Sequence, residues 1–333
     1  MTQDAYTQAG VSQSDADASV AALVGHLSQI KTEKPSRVVP LPGHYASVLR
    51  LDEQTGIAFG TDGVGTKMVV AEELGRFETI GIDLIAMNVN DLICVGAEPI
   101  ALVDFILCRE ATPEICGQIG EGLRAGAEMA GIEIPGGEIA QVGDVVSGWE
   151  LGGSAIGLVD LDRIVSGERI EAGDALIGLP SSGLHSNGYT LARKVLAELS
   201  WDDDRLGRPL GDVVLEPTTI YVRAVLELLG SDLDARGLAH ITGDGLNNLL
   251  RLSDEVGYEI TEPLEVPPIF GLIQELGDLG TEEMHEVFNM GLGFIGVVPA
   301  AEADAAVKQL AAHHPGTRAI GVVTDRAGEV VHP

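Results

Sequence analysis

Asp62 and Asp91 are the residues with the most potential for chemistry, because each is a carboxylate in a setting that does not favour charge. Asp62 lies in Phe59-Gly60-Thr61-Asp62-Gly63-Val64-Gly65-Thr66-Lys67. Residues 57–61 read as a short strand, the glycines allow a sharp turn with N–H groups pointing inward, and Lys67 opens an apolar-periodic helix. Such a loop at a helix N-terminus suits an anion, since loop donors and helix dipole both favour negative charge. A carboxylate beside it would repel a bare phosphate unless a divalent cation lay between them. Gly63, Val64, Gly65, Thr66 and Lys67 are therefore the expected phosphate-binding set, with the Lys67 ammonium as a compact point charge. The order Gly65-Thr66-Lys67 excludes a Walker A loop, which needs Gly-Lys followed by Ser or Thr.

Asp91 belongs to a helical run from Ile80 to Val95 that holds no Lys, Arg or Glu. Its polar side chains are Asp83, Asn88, Asn90 and Asp91. Asp83 and Asn90, seven apart, share a face; Asn88 and Asp91 lie on its flank. Carboxylates on an apolar helix are costly unless they bind metal or accept hydrogen bonds. By itself the helix fits a set of structural hydrogen bonds. With Asp62 and the glycine loop beside it, a metal site shared by Asp62 and Asp91 becomes the stronger expectation.

These elements sit in a chain of 333 residues, long enough for two domains with real cores. Hydrophobic content of 45% with 43 glycines indicates a loop-rich α/β protein. The apolar runs are too short to cross a bilayer and the N-terminus carries no basic leader, so a soluble, cytoplasmic protein is expected. Its cysteines, Cys94, Cys108 and Cys116, make no Cys-x-x-Cys pair, which argues against a zinc ribbon or a disulfide framework. A net charge of −31 excludes nucleic acid as a natural partner. Only Lys31, Lys34, Lys67, Lys194 and Lys308 are lysines among 20 basic residues. Scattered acids and few lysines suggest adaptation to a salty cytoplasm, where screening relieves self-repulsion.

Along the chain, residues 1–40 read as an arm with one helix around Ala16–Ile30. Residues 41–165 and 166–333 read as two α/β halves joined through the polar segment Leu161–Gly167. The first half holds strands at Ile57–Thr61, Ile100–Cys108 and Gly153–Val159 and a helix from Pro113 to Gly131. In the second, strand Ala175–Leu179 runs through Pro180-Ser181-Ser182-Gly183-Leu184-His185-Ser186-Asn187-Gly188 into a helix at Tyr189. A further glycine turn, His240-Ile241-Thr242-Gly243-Asp244-Gly245, precedes a helix through Leu250, and strand Ile295–Val298 follows Phe288-Asn289-Met290-Gly291. His185 is balanced between a structural and a site role; for His240 the structural role is favoured. The other histidines lack metal-ligand spacing.

The ordered set Asp62–Lys67, Gly81-Ile82-Asp83, Val89-Asn90-Asp91-Leu92, Gly96-Ala97-Glu98-Pro99, Gly136-Gly137-Glu138, His185–Tyr189, Thr242-Gly243 and Phe288-Asn289 resembles the phosphoribosylformylglycinamidine cyclo-ligase family, or aminoimidazole ribonucleotide (AIR) synthetases, over nearly the whole chain. The resemblance implies a PurM-like fold of two α/β (α+β) domains, with the N-terminal domains of a homodimer forming a shared β-barrel core. It implies ATP and Mg²⁺ as cofactors. Formylglycinamidine ribonucleotide would be phosphorylated on its formamide oxygen, and the iminophosphate closed by the amidine nitrogen with loss of phosphate. By resemblance Asp62 and Asp91 hold the metal, Gly63–Lys67 the phosphates, and the 185–188 loop lies near nucleotide and substrate. The expected catalytic residues are thus Asp62, Lys67, Asp91 and His185, with Asn90, Glu138, Ser186 and Asn187 binding the cofactor. His44 and Tyr45 stand where the family often has Gly-Gly-Phe-Gly. Related families fit less well. Thiamine-monophosphate kinase would show Gly-Asp-Asp-Ala, selenophosphate synthetase an early reactive cysteine, and the hydrogenase-maturation relative a C-terminal one. The glutamine-dependent ligase of the preceding step, or a non-catalytic ATP-binding dimer, remains the alternative.

Overall fold

A computed structural model describes residues 13–332; the rest of the arm expected over residues 1–40 lies outside the described residues. The chain begins with helix α1 (Gln13–Leu27) and strands β1 (Val38–Val39), β2 (Ser47–Arg50) and β3 (Thr55–Gly63). Helices α2 (Lys67–Leu74) and α3 (Ile80–Cys94) follow, then β4 (Glu98–Cys108), α4 (Pro113–Ala130), β5 (Glu133–Gln141) and β6 (Trp149–Asp160). These strands form one sheet in the order β1-β2-β3-β6-β4-β5. Its pairs are antiparallel except β4 with β5, which α4 connects as a crossover. Thr112 caps α4 by accepting the Ile115 N–H, Pro113 takes its first turn, and Gly131 closes it in the left-handed region.

The second sheet is built from β7 (Ala175–Pro180), β8 (Gly237–His240), β9 (Gly257–Ile260), β10 (Leu292–Val298), β11 (Arg318–Thr324) and β12 (Val330–Val331). Its order is β12-β9-β11-β7-β10-β8. Helices α5 (Tyr189–Val195), α6 (Leu210–Val214), α7 (Val222–Gly230), α8 (Pro268–Gly277), α9 (Thr281–Val287) and α10 (Ala303–Ala311) lie between or against these strands. β10 is buried along its full length and β7 nearly so, which explains their continuous apolar runs. The turn after Gly243 leads into a 3-10 helix, Gly245–Arg251, where an ordinary helix was expected.

Helix α3 is the hub. It packs on β3 and β6 on one side and on β8 on the other, and 13 of its 15 residues are buried. Every polar side chain on it therefore needs a partner. Its contact with α4 is close because glycine meets glycine: a Cβ on Gly81 would fall 2.1 Å from Leu123 N, and one on Gly122 2.6 Å from Glu78 O.

The register sorts the first sheet into two faces. Asp62, Gly153, Asp104 and Gly137 form one row across β3, β6, β4 and β5. At Gly153 this row meets the Leu84 side chain of α3, so Asp62 lies on the helix-covered face. The opposite face carries Phe59, Val103, Phe105 and Leu158, all exposed.

Candidate functional site between the two sheets

β3 delivers Asp62 to the rim where the sheets meet. Its Oδ1 accepts the Gly63 N–H at 2.7 Å, and its backbone carbonyl accepts Asn88 Nδ2 of α3 at 3.3 Å. Burial raises the Asp62 carboxyl above the usual range and the Asp91 charge adds to this, while the Gly63 N–H, His240 and Arg251 oppose it. The Asp91 charge is thus felt at Asp62.

Asp91 projects from α3 toward β8. Its Oδ1 lies 2.9 Å from His240 Nδ1, with the imidazole fully buried and the carboxylate 19% exposed. Asn90 fixes that ring. Its Oδ1 accepts the Tyr221 N–H at 3.0 Å, so its Nδ2 is the donor to Thr219 O at 2.9 Å and His240 Nε2 at 3.4 Å. Nδ1 is left to carry the proton toward Asp91. One carboxylate oxygen of Asp91 is thereby held.

The glycine loop departs from the expected open cradle. Gly63 N–H is taken by Asp62, Val64 N–H by Leu151 O at 2.9 Å, and Gly65 N–H by Glu150 Oε1 at 3.4 Å. Gly65 has φ +66°, the left-handed conformation such a turn requires. Thr66 is exposed, its Oγ1 3.2 Å from Thr190 Oγ1 on α5. Lys67 departs further: it is fully buried and paired with Asp83, and does not face the open rim as a phosphate contact would.

The 185–188 loop approaches from the second sheet. Asn187 reaches α3, with Nδ2 3.8 Å from Met87 Sδ, and its Oδ1 lies near Gly243. Ser186 is buried, its Oγ 3.0 Å from Thr218 Oγ1. His185 is also buried, at φ +61°, and its Nε2 accepts the Ser182 N–H at 3.2 Å. Burial holds its imidazole far below the usual histidine range, so it serves the loop as a neutral acceptor. Gly188 has φ +75°, and a Cβ there would strike the Phe288 ring.

The structure therefore gathers Asp62, Gly63, Gly65, Asn88, Asp91 and Asn187 at one rim. It turns Lys67, Asn90 and His185 inward, away from the catalytic or cofactor-contacting positions expected of them. Glu138 stands apart: it shares the row of Gly63 across three strand spacings, roughly 14 Å, on the exposed face beside Phe105. His44 and Tyr45 are fixed by Arg251, which donates to Gly43 O and His44 O and lies 4.2 Å over the Tyr45 ring. Sequence reasoning missed Thr218, Glu150 and Arg251 and gave His240 only a structural role. Each depends on a partner more than 80 residues away, which no local pattern signals.

Two curled sheets meeting over a carboxylate pair define an α/β protein of the AIR synthase type. Residues 43–159 match the N-terminal domain of AIR synthase related proteins and residues 171–332 their C-terminal domain, so the chain belongs to this family. It is 46% identical to the phosphoribosylformylglycinamidine cyclo-ligase of Methanothermobacter thermautotrophicus over 98% of this chain and 96% of that one. It is also 46% identical to the cyclo-ligase of Thermococcus gammatolerans, over 97% and 96%. Among solved structures, a HypE–HypF complex aligns with TM-score 0.66 at 20% identity over 94% of this chain and 95% of that one. AaThiL complexed with AMPPCP and TMP gives 0.66 at 16%, over 93% and 92%. At such identities these structures share the fold.

Proposed function

We propose that this chain is a phosphoribosylformylglycinamidine cyclo-ligase, converting formylglycinamidine ribonucleotide and ATP to AIR, ADP and phosphate. The observation that carries this reading is the 46% identity to relatives of that name over essentially both whole chains. Asp62 and Asp91 fit Mg²⁺: they supply two hard oxygen donors, and a cation would relieve the burial and the Asp91 charge that disfavour ionised Asp62. Among the described residues no cluster of three or more His, Cys, Asp or Glu could hold a metal. A site of two carboxylates leaves coordination for phosphate oxygens and water, as Mg²⁺ prefers. When bound, Mg²⁺ with ATP supplies charge neutralisation for phosphoryl transfer. The chain's part is placement. Asn90 and His240 orient Asp91, Gly63 orients Asp62, and Asn187 closes the rim from the second sheet.

A homodimer follows from the same reading. Phe59, Val103, Phe105 and Leu158 make one exposed apolar sheet face, unusual on an isolated subunit and suited to a second copy. The cytoplasm is the expected compartment, and no helix among the described residues is long and apolar enough to cross a membrane.

The test is direct: incubate the purified protein with formylglycinamidine ribonucleotide and ATP, without glutamine, in molar salt. AIR should appear, followed by colour after diazotisation. Turnover of a relative's substrate with no AIR formed would overturn the assignment.

A further inference from the structure

A closed ring of buried polar bonds joins the two halves beside the rim. Lys67, the first residue of α2, directly follows the glycine loop. Its ammonium donates to Asp83 Oδ1 at 2.9 Å, to His185 O at 3.1 Å and to Glu216 O at 2.7 Å. An ammonium has three N–H donors, and these three acceptor groups match them. Asp83 Oδ1 also accepts Thr218 N–H and Thr218 Oγ1, each at 2.7 Å. With its proton committed to Asp83, the Thr218 hydroxyl receives the bond from Ser186 Oγ at 3.0 Å. The circuit thus runs from the end of the glycine loop, through α3, to two consecutive residues of the 185–188 loop. Lys67 and Asp83 are fully buried, Thr218 is 2% exposed and Ser186 9%.

We propose that Lys67 is a positioning residue which, with Asp83 and Thr218, sets the separation of the glycine loop and the 185–188 loop for nucleotide binding. This deepens the reading above and rests on it for the statement that nucleotide lies between those loops. A buried ion pair adds little net stability over well-packed apolar residues of the same volume, because both charges are desolvated. What it adds is direction. Each bond in the ring has a fixed donor and acceptor, so the two loops hold one relative position. A chain that keeps only five lysines places one of them here. The neighbouring Thr66–Thr190 contact bridges the same two segments at the surface.

The test compares Lys67→Met with Thr218→Val, which is nearly isosteric and sits behind Asp83. Binding of ADP by calorimetry, kcat and KM for ATP, and melting temperature are measured for each in molar KCl. Thr218→Val should stay folded yet weaken ADP binding and raise the ATP KM by about 10- to 100-fold. The double variant should be no worse than Lys67→Met alone, because both residues serve one ring. Parental ADP affinity in Thr218→Val overturns the proposal, even if Lys67→Met fails to fold. A lowered melting temperature with unchanged ADP affinity, KM and kcat also overturns it, leaving the ring purely architectural. The ADP titration reads the ring without the cyclisation. A parental protein that binds ADP but makes no AIR would remove the cyclo-ligase reading alone.

Discussion

At the scale of single residues, the proposed metal site requires Asp62 and Asp91 to act as one unit. Burial first and then the Asp91 charge disfavour ionisation of Asp62, and a cation shared with Asp91 would offset both. Asp62→Asn or Asp91→Asn should each lower turnover by at least ~100-fold, about 2.7 kcal/mol of transition-state stabilisation. The double variant should be little worse than either single. Magnesium titrations at fixed salt check this; parental turnover and magnesium dependence in both single variants would make the carboxylates structural. The sequence singled out these two aspartates because a carboxylate amid glycines or apolar residues needs a reason, and their metal role is the proposal the magnesium titration tests. The same argument flagged Asp83 and Asn90, yet the structure gives those two a different reason. They face the 216–221 segment and bond to it. Spacing told which residues share a face, but not what that face meets. Lys67 was misassigned on the same ground: its rarity marked it as special, and only the fold reveals that its acceptors are Asp83 and two backbone carbonyls.

At the scale of elements, the site depends on how closely α3 lies against α4. Gly81→Ala would place a methyl 2.1 Å from Leu123 N, backbone that cannot rotate away. The helices must separate, shifting Asp91 at the far end of α3. Destabilisation of about 1–3 kcal/mol is expected from overpacking, together with a fall in kcat in the fraction that folds. Urea unfolding and turnover on the same sample measure both; unchanged stability would show that the crossing can relax. The long periodic helices and the apolar strands were legible from sequence. β5 was not, since Pro135, Gly136 and Gly137 are poor strand formers. It exists as an edge strand, where proline is tolerated, and Gly137 admits the Asp104 carboxylate within 3 Å of where its Cβ would stand. The 3-10 form of Gly245–Arg251 likewise follows from packing: Gly245 sits at φ +54° with His285 O where a Cβ would be.

For the whole molecule, acidity should act through partly buried histidines. Burial lowers His44 and His314 to about 4, with Arg251 adding to the effect at His44 and His313 at His314. Their folded values lie below the unfolded value of about 6.5. Between about pH 6.5 and 4 the unfolded chain therefore binds more protons, and stability falls as pH falls through that window. In molar KCl, His314→Gln should flatten the decline of melting temperature between pH 6.5 and 4 relative to the parent. An identical slope would assign the acid sensitivity elsewhere.

Charge sets the other global dependence. A net −31 spread over a folded surface repels itself, and it does so again wherever two copies meet through the Phe59–Phe105 face. Apolar contact is what would hold that face together, and it gains from screening because repulsion around its rim is removed. At ~1 M salt the Debye length is roughly 3 Å, so acids one side chain apart hardly interact. At ~0.01 M it is roughly 30 Å, and the whole surface acts as one charge. Dialysis from molar to low KCl should therefore dissociate the proposed dimer first and then lower the melting temperature, with loss of the near-ultraviolet circular dichroism signal. Molar mass by light scattering and thermal melts across the salt series follow the two events separately. Phe105→Glu should produce monomer even in molar KCl while leaving the subunit folded, since Phe105 is 44% exposed on the isolated chain. A melting temperature that does not change between low and molar KCl would mean that the acids are not what limits this fold.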